Sequence, residues 1–334
     1  MSLGHSLERL LPEIETELQA MVTLAGGPRM AEYRKMLAYH MGWEDDGFSG
    51  KRLRPLFTLL TCEAAGGLAS QALPAAAGVE LIHNFSLIHD DIQDNSPLRR
   101  GRETVWMRWG RAQAINAGDA LFSLAWMAGP RLLDRDVTPE FALEVTRCLA
   151  TALLRITQGQ HLDMAFESRE RVSVAEYMDM IGGKTAELLA TAVEVGAIVA
   201  GSSPERRRSF RNFGFNLGLA FQIQDDLLGI WGNAENTGKS TASDLEARKK
   251  TLPVVFACEK SADFARRFAR PPEGGEDPAN LAAELEALGA RDYTLAEAAA
   301  YTQTALRNLE TAQPAAGAED ALSELAAGLL GRAS

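Results

Sequence analysis

The chain has 334 residues, 46% of them hydrophobic, which is enough for a sizeable core arranged as one large domain or two ordinary ones. With 34 Lys plus Arg against 45 Asp plus Glu, the formal net charge of −11 argues against a nucleic-acid coat, and no nucleic-acid partner is expected. Cys62, Cys148 and Cys258 lie far apart, with no CxxC pair and no zinc-type histidine spacing, so neither a disulfide framework nor a structural zinc is expected, and a reducing cytoplasm fits.

The opening stretch is broken by His5, Glu8 and Arg9, so no signal peptide is read there. Leu10, Leu11, Ile14, Leu18, Met21 and Val22 then recur at helical spacing. Further helices are predicted over 52–65, 72–94, 111–133, 138–167, 174–200, 204–231, 251–268, 279–289, 294–312 and 317–332, separated by Gly, Pro or Asp/Ser clusters. No strand-like alternation appears. The most apolar stretch, 186–200, contains Glu187 and Glu194 and reads as a buried helix rather than a membrane span, so an integral membrane protein is not expected. Two connections, 42–50 and 232–250, are long enough to suggest function, while 271–278 reads as a surface excursion.

Asp90-Asp91-Ile92-Gln93-Asp94 closes an apolar helical stretch. At about 100° per residue, Asp90 and Asp94 fall within about 40° of each other, with Asp91 near them, and no lysine in helical register neutralises them. Such a cluster calls for a cation, and carboxylate oxygens with an incomplete protein shell suit Mg²⁺. Taken alone the string is a solvated helix end; its apolar approach and the following Arg99-Arg100-Gly101-Arg102 point instead to metal and phosphate. A second pair, Asp225-Asp226, ends another apolar stretch with Gln222 on the same face, and the following segment carries Lys239, Asp244 and Lys249. Gly50-Lys51-Arg52-Leu53-Arg54-Pro55 opens a helix with three cations, a place suited to an anion.

These segments, together with His83, Gly183-Lys184-Thr185, Phe221 to Asp226 and Asp244 to Pro253, resemble the polyprenyl synthetase family, the trans-isoprenyl diphosphate synthases, in order and spacing over about 45–260. The resemblance implies an all-α, single-domain bundle of mainly antiparallel helices around a deep central cavity, spanning 1–334. It implies a cytoplasmic homodimer that condenses isopentenyl diphosphate with allylic diphosphates (dimethylallyl, geranyl, farnesyl). Mg²⁺, three ions per site, would be held by Asp90 and Asp94 from one motif and Asp225 from the other, with Asp244 in support and Asp91 and Asp226 in the same catalytic clusters. Arg99, Lys184, Gln222 and Lys239 resemble contacts to the allylic diphosphate, with Lys249 nearby; Lys51, Arg54, His83 and Arg100 resemble the isopentenyl diphosphate pocket. Dipoles near Lys184, Thr185 and Gln222 would stabilise the carbocation. His89 reads as packed or hydrogen-bonded rather than as a base.

Many members carry a third aspartate in the second motif where this chain has Gly229. Gly229→Asp is therefore expected to restore a carboxylate and lower the Mg²⁺ requirement. Ser86, four residues before Asp90, is small, and Phe85 behind it is bulky. That pattern resembles synthases whose main product is C20 geranylgeranyl diphosphate, with C15 farnesyl diphosphate as the alternative; the competing reading is that Phe85 packs in the core and another helix ends the cavity. A terpene cyclase would lack the second cation pocket, and a non-catalytic subunit would not need both acidic clusters.

Overall fold

The computed structural model describes residues 2–44, 50–232, 243–270 and 277–331. Among them, helices dominate and the only sheet is one two-stranded hairpin, so the all-α expectation holds. Contacts group the chain into two compact units: Met1–Leu153 with Thr191–Phe210 and Ala312–Leu325, and Leu154–Ala190 with Arg211–Thr311 and Ala326–Ser334. No described helix is long and apolar enough to cross a membrane. All three cysteines are free thiols, Cys62 buried and Cys148 and Cys258 half-buried.

In the first unit, α1 (Leu3–Thr23), α2 (Ala31–Met41), α3 (Leu53–Ala64), α4 (Ala69–Gln93), α5 (Val105–Trp109), α6 (Arg111–Trp126) and α7 (Ala128–Leu133) surround α4. From Ala72 to Ile82 α4 is buried on every side, which is why its sequence is apolar without a clear stripe. Small residues set its spacing from the neighbours: a Cβ on Gly78 would meet Ala128 Cβ at 2.7 Å, and one on Gly118 would meet the His89 ring at 2.3 Å. Arg111 reaches the Ile92 carbonyl, His89 lies at Gly118 and Phe85 faces Phe122, so α6 runs antiparallel to α4.

Two expectations are corrected. The stretch 111–133 is two helices that part at Met127, and 251–268 parts at Ser261, whose side chain accepts from Phe264 N as an N-cap. Helix α2 was not anticipated at all.

In the second unit, the end of α8 (Pro139–Ser168), α9 (Val174–Ile181) and most of α11 (Pro204–Trp231) bury Phe166, Tyr177, Ile181, Leu219 and Ile223 with Leu252 and Val255. Between α9 and α10 (Glu187–Val199) the chain makes a π-turn, Gly182–Ala186. Glycine is required here: a Cβ on Gly159 would lie 2.2 Å from Lys184 N, and one on Gly183 2.7 Å from the Arg155 carbonyl. This backbone crossing fixes Lys184 and Thr185, and π-turns of this kind recur at functional sites.

Candidate active site

The three acids at the end of α4 sit where the helix dipole is already negative, so their repulsion is compounded. The relief comes from a hairpin. Leu98–Arg99 pairs with Arg102–Glu103 in antiparallel register, and the two turn residues, Arg100 and Gly101, take φ of 53° and 77°, the backbone of a tight primed turn. Tyr39 braces it, its hydroxyl donating to the Glu103 carbonyl at 2.8 Å and its ring lying under Arg102. Trp106 Nε1 donates to the Ser96 carbonyl at the hairpin's foot. The hairpin thus aims Arg99 at the acids: Nε is 2.8 Å from Asp91 Oδ1, and Nη2 is 2.8 Å from Asp91 Oδ1 and 3.4 Å from Asp90 Oδ2. The cation comes from beyond the helix, out of the arginine run that follows it in sequence. Burial raises the Asp91 carboxyl above its ordinary value, against the pull of Arg99. Asp94 is exposed and Asp90 half-buried.

A cavity beside the hairpin is lined by His40, Asn84, Leu87, Asp91, Arg99 and Arg100. Arg54 and His83 belong to the same charged neighbourhood: His83 is held well below its usual range by burial and by Arg54, Arg100 and Arg99. His40 falls to about 3 by burial and by Arg99 and Arg100. Both histidines are therefore neutral beside a group of arginines, which favours an incoming anion. The Nε of Arg54 and Nε2 of His40 are buried without hydrogen-bond partners. Lys51 is exposed.

Arg52, between these cations, does something else. It sits at φ 47° before α3, and its buried guanidinium reaches Glu15 Oε1 at 2.7 Å, Glu80 Oε1 at 3.1 Å and the Met41 carbonyl at 2.8 Å. Its guanidinium therefore ties the start of α3 to α1 and α4. His40 and Glu80 were missed by sequence reasoning; a carboxylate inside the apolar run of α4 was the available signal for Glu80. His89 packs over Gly118 and edge-on to Phe85 at 5.0 Å, as expected.

In the second unit, Asp225 is exposed whereas Asp226 is buried. Asp226 accepts from Leu252 N at 2.9 Å, from the Tyr177 hydroxyl, and from Gln222 Nε2 at 3.2 Å. Burial raises its carboxyl to about 7 despite these donors. Gln222 Oε1 accepts from Thr185 Oγ1 at 2.8 Å, and Lys184 Nζ pairs with Asp163 Oδ2. A Cβ on Gly229 would stand 1.9 Å from Asp244 Oδ2. The Asp244 carboxylate therefore occupies the ground that a longer residue 229 would need. Lys249 is exposed, and its amide donates to the Asp244 carbonyl at 2.9 Å. Lys239 lies outside the described residues.

These acids could hold a metal ion. Among the described residues no three His, Cys, Asp or Glu side chains converge as a ready cage, which suits a hard cation that takes most of its shell from water and phosphate. The all-carboxylate donors and the cradle over Gly229 fit Mg²⁺ in type.

Helix-borne carboxylates, a hairpin arginine and a basic cavity beside them define a helical enzyme of diphosphate chemistry. The polyprenyl synthetase family model matches residues 37–281. The (2E,6E)-farnesyl diphosphate synthase of Mycobacterium tuberculosis is 43% identical over 279 residues, covering 79% of this chain and 76% of that one. Among solved structures, a polyprenyl synthetase from Streptomyces coelicolor A3(2) superposes with TM-score 0.88 at 36% identity, covering 98% of this chain and 100% of that one. A geranylgeranyl pyrophosphate synthase from Corynebacterium glutamicum, complexed with isoprenyl diphosphate and magnesium, gives TM-score 0.82 at 26% identity over 99% and 100% of the two chains. The chain belongs to the polyprenyl synthetase family: it is a short-chain prenyl diphosphate synthase with the all-α isoprenoid synthase fold.

Proposed function

We propose that the enzyme extends allylic diphosphates with isopentenyl diphosphate to a main product of C20, geranylgeranyl diphosphate, in a Mg²⁺-dependent reaction using three ions that take ligands from Asp90, Asp94, Asp225 and Asp244. The observation that carries the product length is at Ser86 and Phe85. Ser86 is small, and its hydroxyl folds back to the His83 carbonyl at 2.8 Å. Phe85, one residue farther from Asp90, is buried against Phe122 with ring centroids 5.4 Å apart. A tail passing Asp90 would clear Ser86 and stop at an aromatic floor. Farnesyl diphosphate is the second product reading, supported by the mycobacterial relative's name. Magnesium is supported by the carboxylate donors and by the ion in the Corynebacterium relative.

When bound, the ions would draw negative charge onto the departing diphosphate. The protein's part follows from the geometry above. Arg99, released from Asp91 and Asp90, can bind a diphosphate oxygen, and Lys184 can do the same from the π-turn, with Lys239 and Lys249 as further contacts. Lys51, Arg54, His83 and Arg100 would hold isopentenyl diphosphate, with His83 neutral and acting by hydrogen bonding. Thr185 and Gln222 offer oxygen dipoles to the allylic cation. Loss of a proton from the condensed cation, to the released diphosphate, ends the cycle without a protein base. We further propose that the two compact units form one catalytic domain and that the enzyme is a cytoplasmic homodimer, with the exposed Ile115, Trp126 and Met127 as surface for the second copy.

Incubation with Mg²⁺, isopentenyl diphosphate and each allylic primer, with mass spectrometry of the dephosphorylated alcohols, tests product and primer together. Asp90→Ala and Asp225→Ala should each cut turnover by about two or more orders of magnitude. Phe85→Ala should lengthen the product and Ser86→Phe shorten it; unchanged chain length in both would remove Phe85 from the floor.

A further inference from the structure

On sequence Asp226 belongs with the catalytic acids and not with the metal ligands, and its surroundings give it a part of its own. We propose that Asp226 is a positioning residue that sets the polarity of a hydrogen-bond chain running through Gln222 to Thr185, so that oxygen lone pairs are presented to the allylic carbon as it becomes cationic. This rests on the reading of the site as one that ionises an allylic diphosphate.

The argument follows the hydrogens. Leu252 N–H is fixed by the start of its helix, Leu252–Lys260, and donates to Asp226 Oδ2 at 2.9 Å. The Tyr177 hydroxyl donates to the same oxygen. Oδ1 is left for the Gln222 amide, 3.2 Å away. Gln222 turns its NH₂ to Asp226 and its carbonyl oxygen away, toward Thr185. That oxygen accepts from Thr185 Oγ1 at 2.8 Å, which uses the only hydrogen the threonine hydroxyl has. What Thr185 has left is lone pairs. Each dipole in the chain therefore points its negative end away from the buried carboxylate, and a growing cation is stabilised only by that direction. Lys184, next to Thr185 on the π-turn, is separately engaged with Asp163, so it does not compete for this chain.

Asn at 226 has the same shape and reverses the logic. Its oxygen can still take Leu252 N–H and Tyr177, but its NH₂ then faces Gln222, which must flip and donate to Thr185, turning the hydroxyl hydrogen outward. For Asp226→Asn, kcat should fall about 100-fold or more, the lower end of the range for losing one preorganised dipole. Mn²⁺ affinity and both KM values should stay within about twofold. The decisive readout is the rate ratio between a normal allylic primer and one carrying fluorine on the allyl group, which destabilises the cation. That ratio should grow severalfold in the variant, whereas a general loosening of the fold slows both primers alike. Thr185→Val, which removes the outer end of the chain and leaves Asp226 buried, should shift the ratio the same way and serves if Asp226→Asn fails to fold. A kcat within twofold of the parent, a fall in kcat with an unchanged fluorine ratio, or a tenfold loss of Mn²⁺ affinity would each overturn the assignment. Insensitivity of turnover to Asp90→Ala and Asp225→Ala would instead defeat the reading of the site itself.

Discussion

Gly229→Asp asks whether the second acidic wall is short of a carboxylate or already has one from elsewhere. A Cβ at 229 would lie 1.9 Å from Asp244 Oδ2 and 2.6 Å from Asp244 Cγ. The obstacle is the free end of a flexible side chain, so Asp244 can swing aside, but two carboxylates then crowd a helix face that already carries Asp225 one turn earlier. Like charges 4 Å apart repel by about 4 kcal/mol at an effective dielectric of 20, and solvent on the half-buried Asp244 cuts that to roughly 1–2 kcal/mol. The gain in helix propensity on replacing glycine is a few tenths of a kcal/mol, about one-third of the repulsion or less. Metal-free Gly229→Asp should therefore melt roughly 2–4 °C below the parent, and Mn²⁺ should restore more stability to it than to the parent. The sequence expectation that this single change lowers the Mg²⁺ requirement is thereby revised. Half-saturating metal should improve only when room is made: Asp244→Ala alone should weaken Mn²⁺ binding, and Gly229→Asp with Asp244→Ala should recover it. Scanning calorimetry and Mn²⁺ titration on the four proteins give the answer. Tighter metal binding by Gly229→Asp alone, with no loss of metal-free stability, would refute the exchange.

Arg99→Gln removes the cation that neutralises Asp90 and Asp91; without diphosphate the variant should bind Mn²⁺ severalfold tighter than the parent, and the extra affinity gained on adding inorganic pyrophosphate should shrink. Equal Mn²⁺ affinities would show that Arg99 does not compete with metal. The raised Asp226 carboxyl makes a pH prediction: between its ordinary 3.8 and the folded value of about 7, the folded chain keeps a proton the unfolded chain has lost, so its contribution is full below about 4 and falls away as pH rises to 7. Asp226→Asn cannot ionise, so its stability relative to the parent should climb across that window by at most roughly 4 kcal/mol; parallel urea-denaturation profiles would contradict this.

What the sequence disclosed and what it hid divide along physical lines. Helix α4 and the end of α11 were legible because a buried helix must be apolar for most of its length, so a sudden run of acids at its end stands out. Helix α2 was not, because its 11 residues bury only Met36, Leu37, Tyr39 and Met41, too few to impose a period. The partner of Asp91 was hidden because a tight turn, not helical register, brings Arg99 back to it. The structural part of Arg52 was hidden because only folding reveals Glu15 and Glu80, 37 and 28 residues away in sequence, around its guanidinium.

The least legible point was the division of labour inside each Asp-Asp pair. Neighbours on a helix point about 100° apart, so a pair at the rim of a packed helix cannot face the same way. In α4 the second acid, Asp91, has a side chain 3% exposed and is held by Arg99, while the first, Asp90, is 23% exposed. In α11 the second acid, Asp226, is buried on Leu252, Tyr177 and Gln222, while the first, Asp225, is exposed. Desolvating a carboxylate is tolerable only with donors fixed around it, and both second acids have them. Metal binding should therefore split by position rather than by motif. Asp90→Asn and Asp225→Asn should each weaken Mn²⁺ binding by about tenfold or more, since each removes a charged ligand worth over 1.4 kcal/mol. Asp226→Asn should leave it within about twofold, and Asp91→Asn within about threefold while lowering thermal stability, because it breaks the hydrogen bonds of Arg99 to a buried charge. Loss of Mn²⁺ affinity in Asp91→Asn or Asp226→Asn equal to that in its neighbour would mean that both acids of a pair reach the ion, and the burial argument would fail.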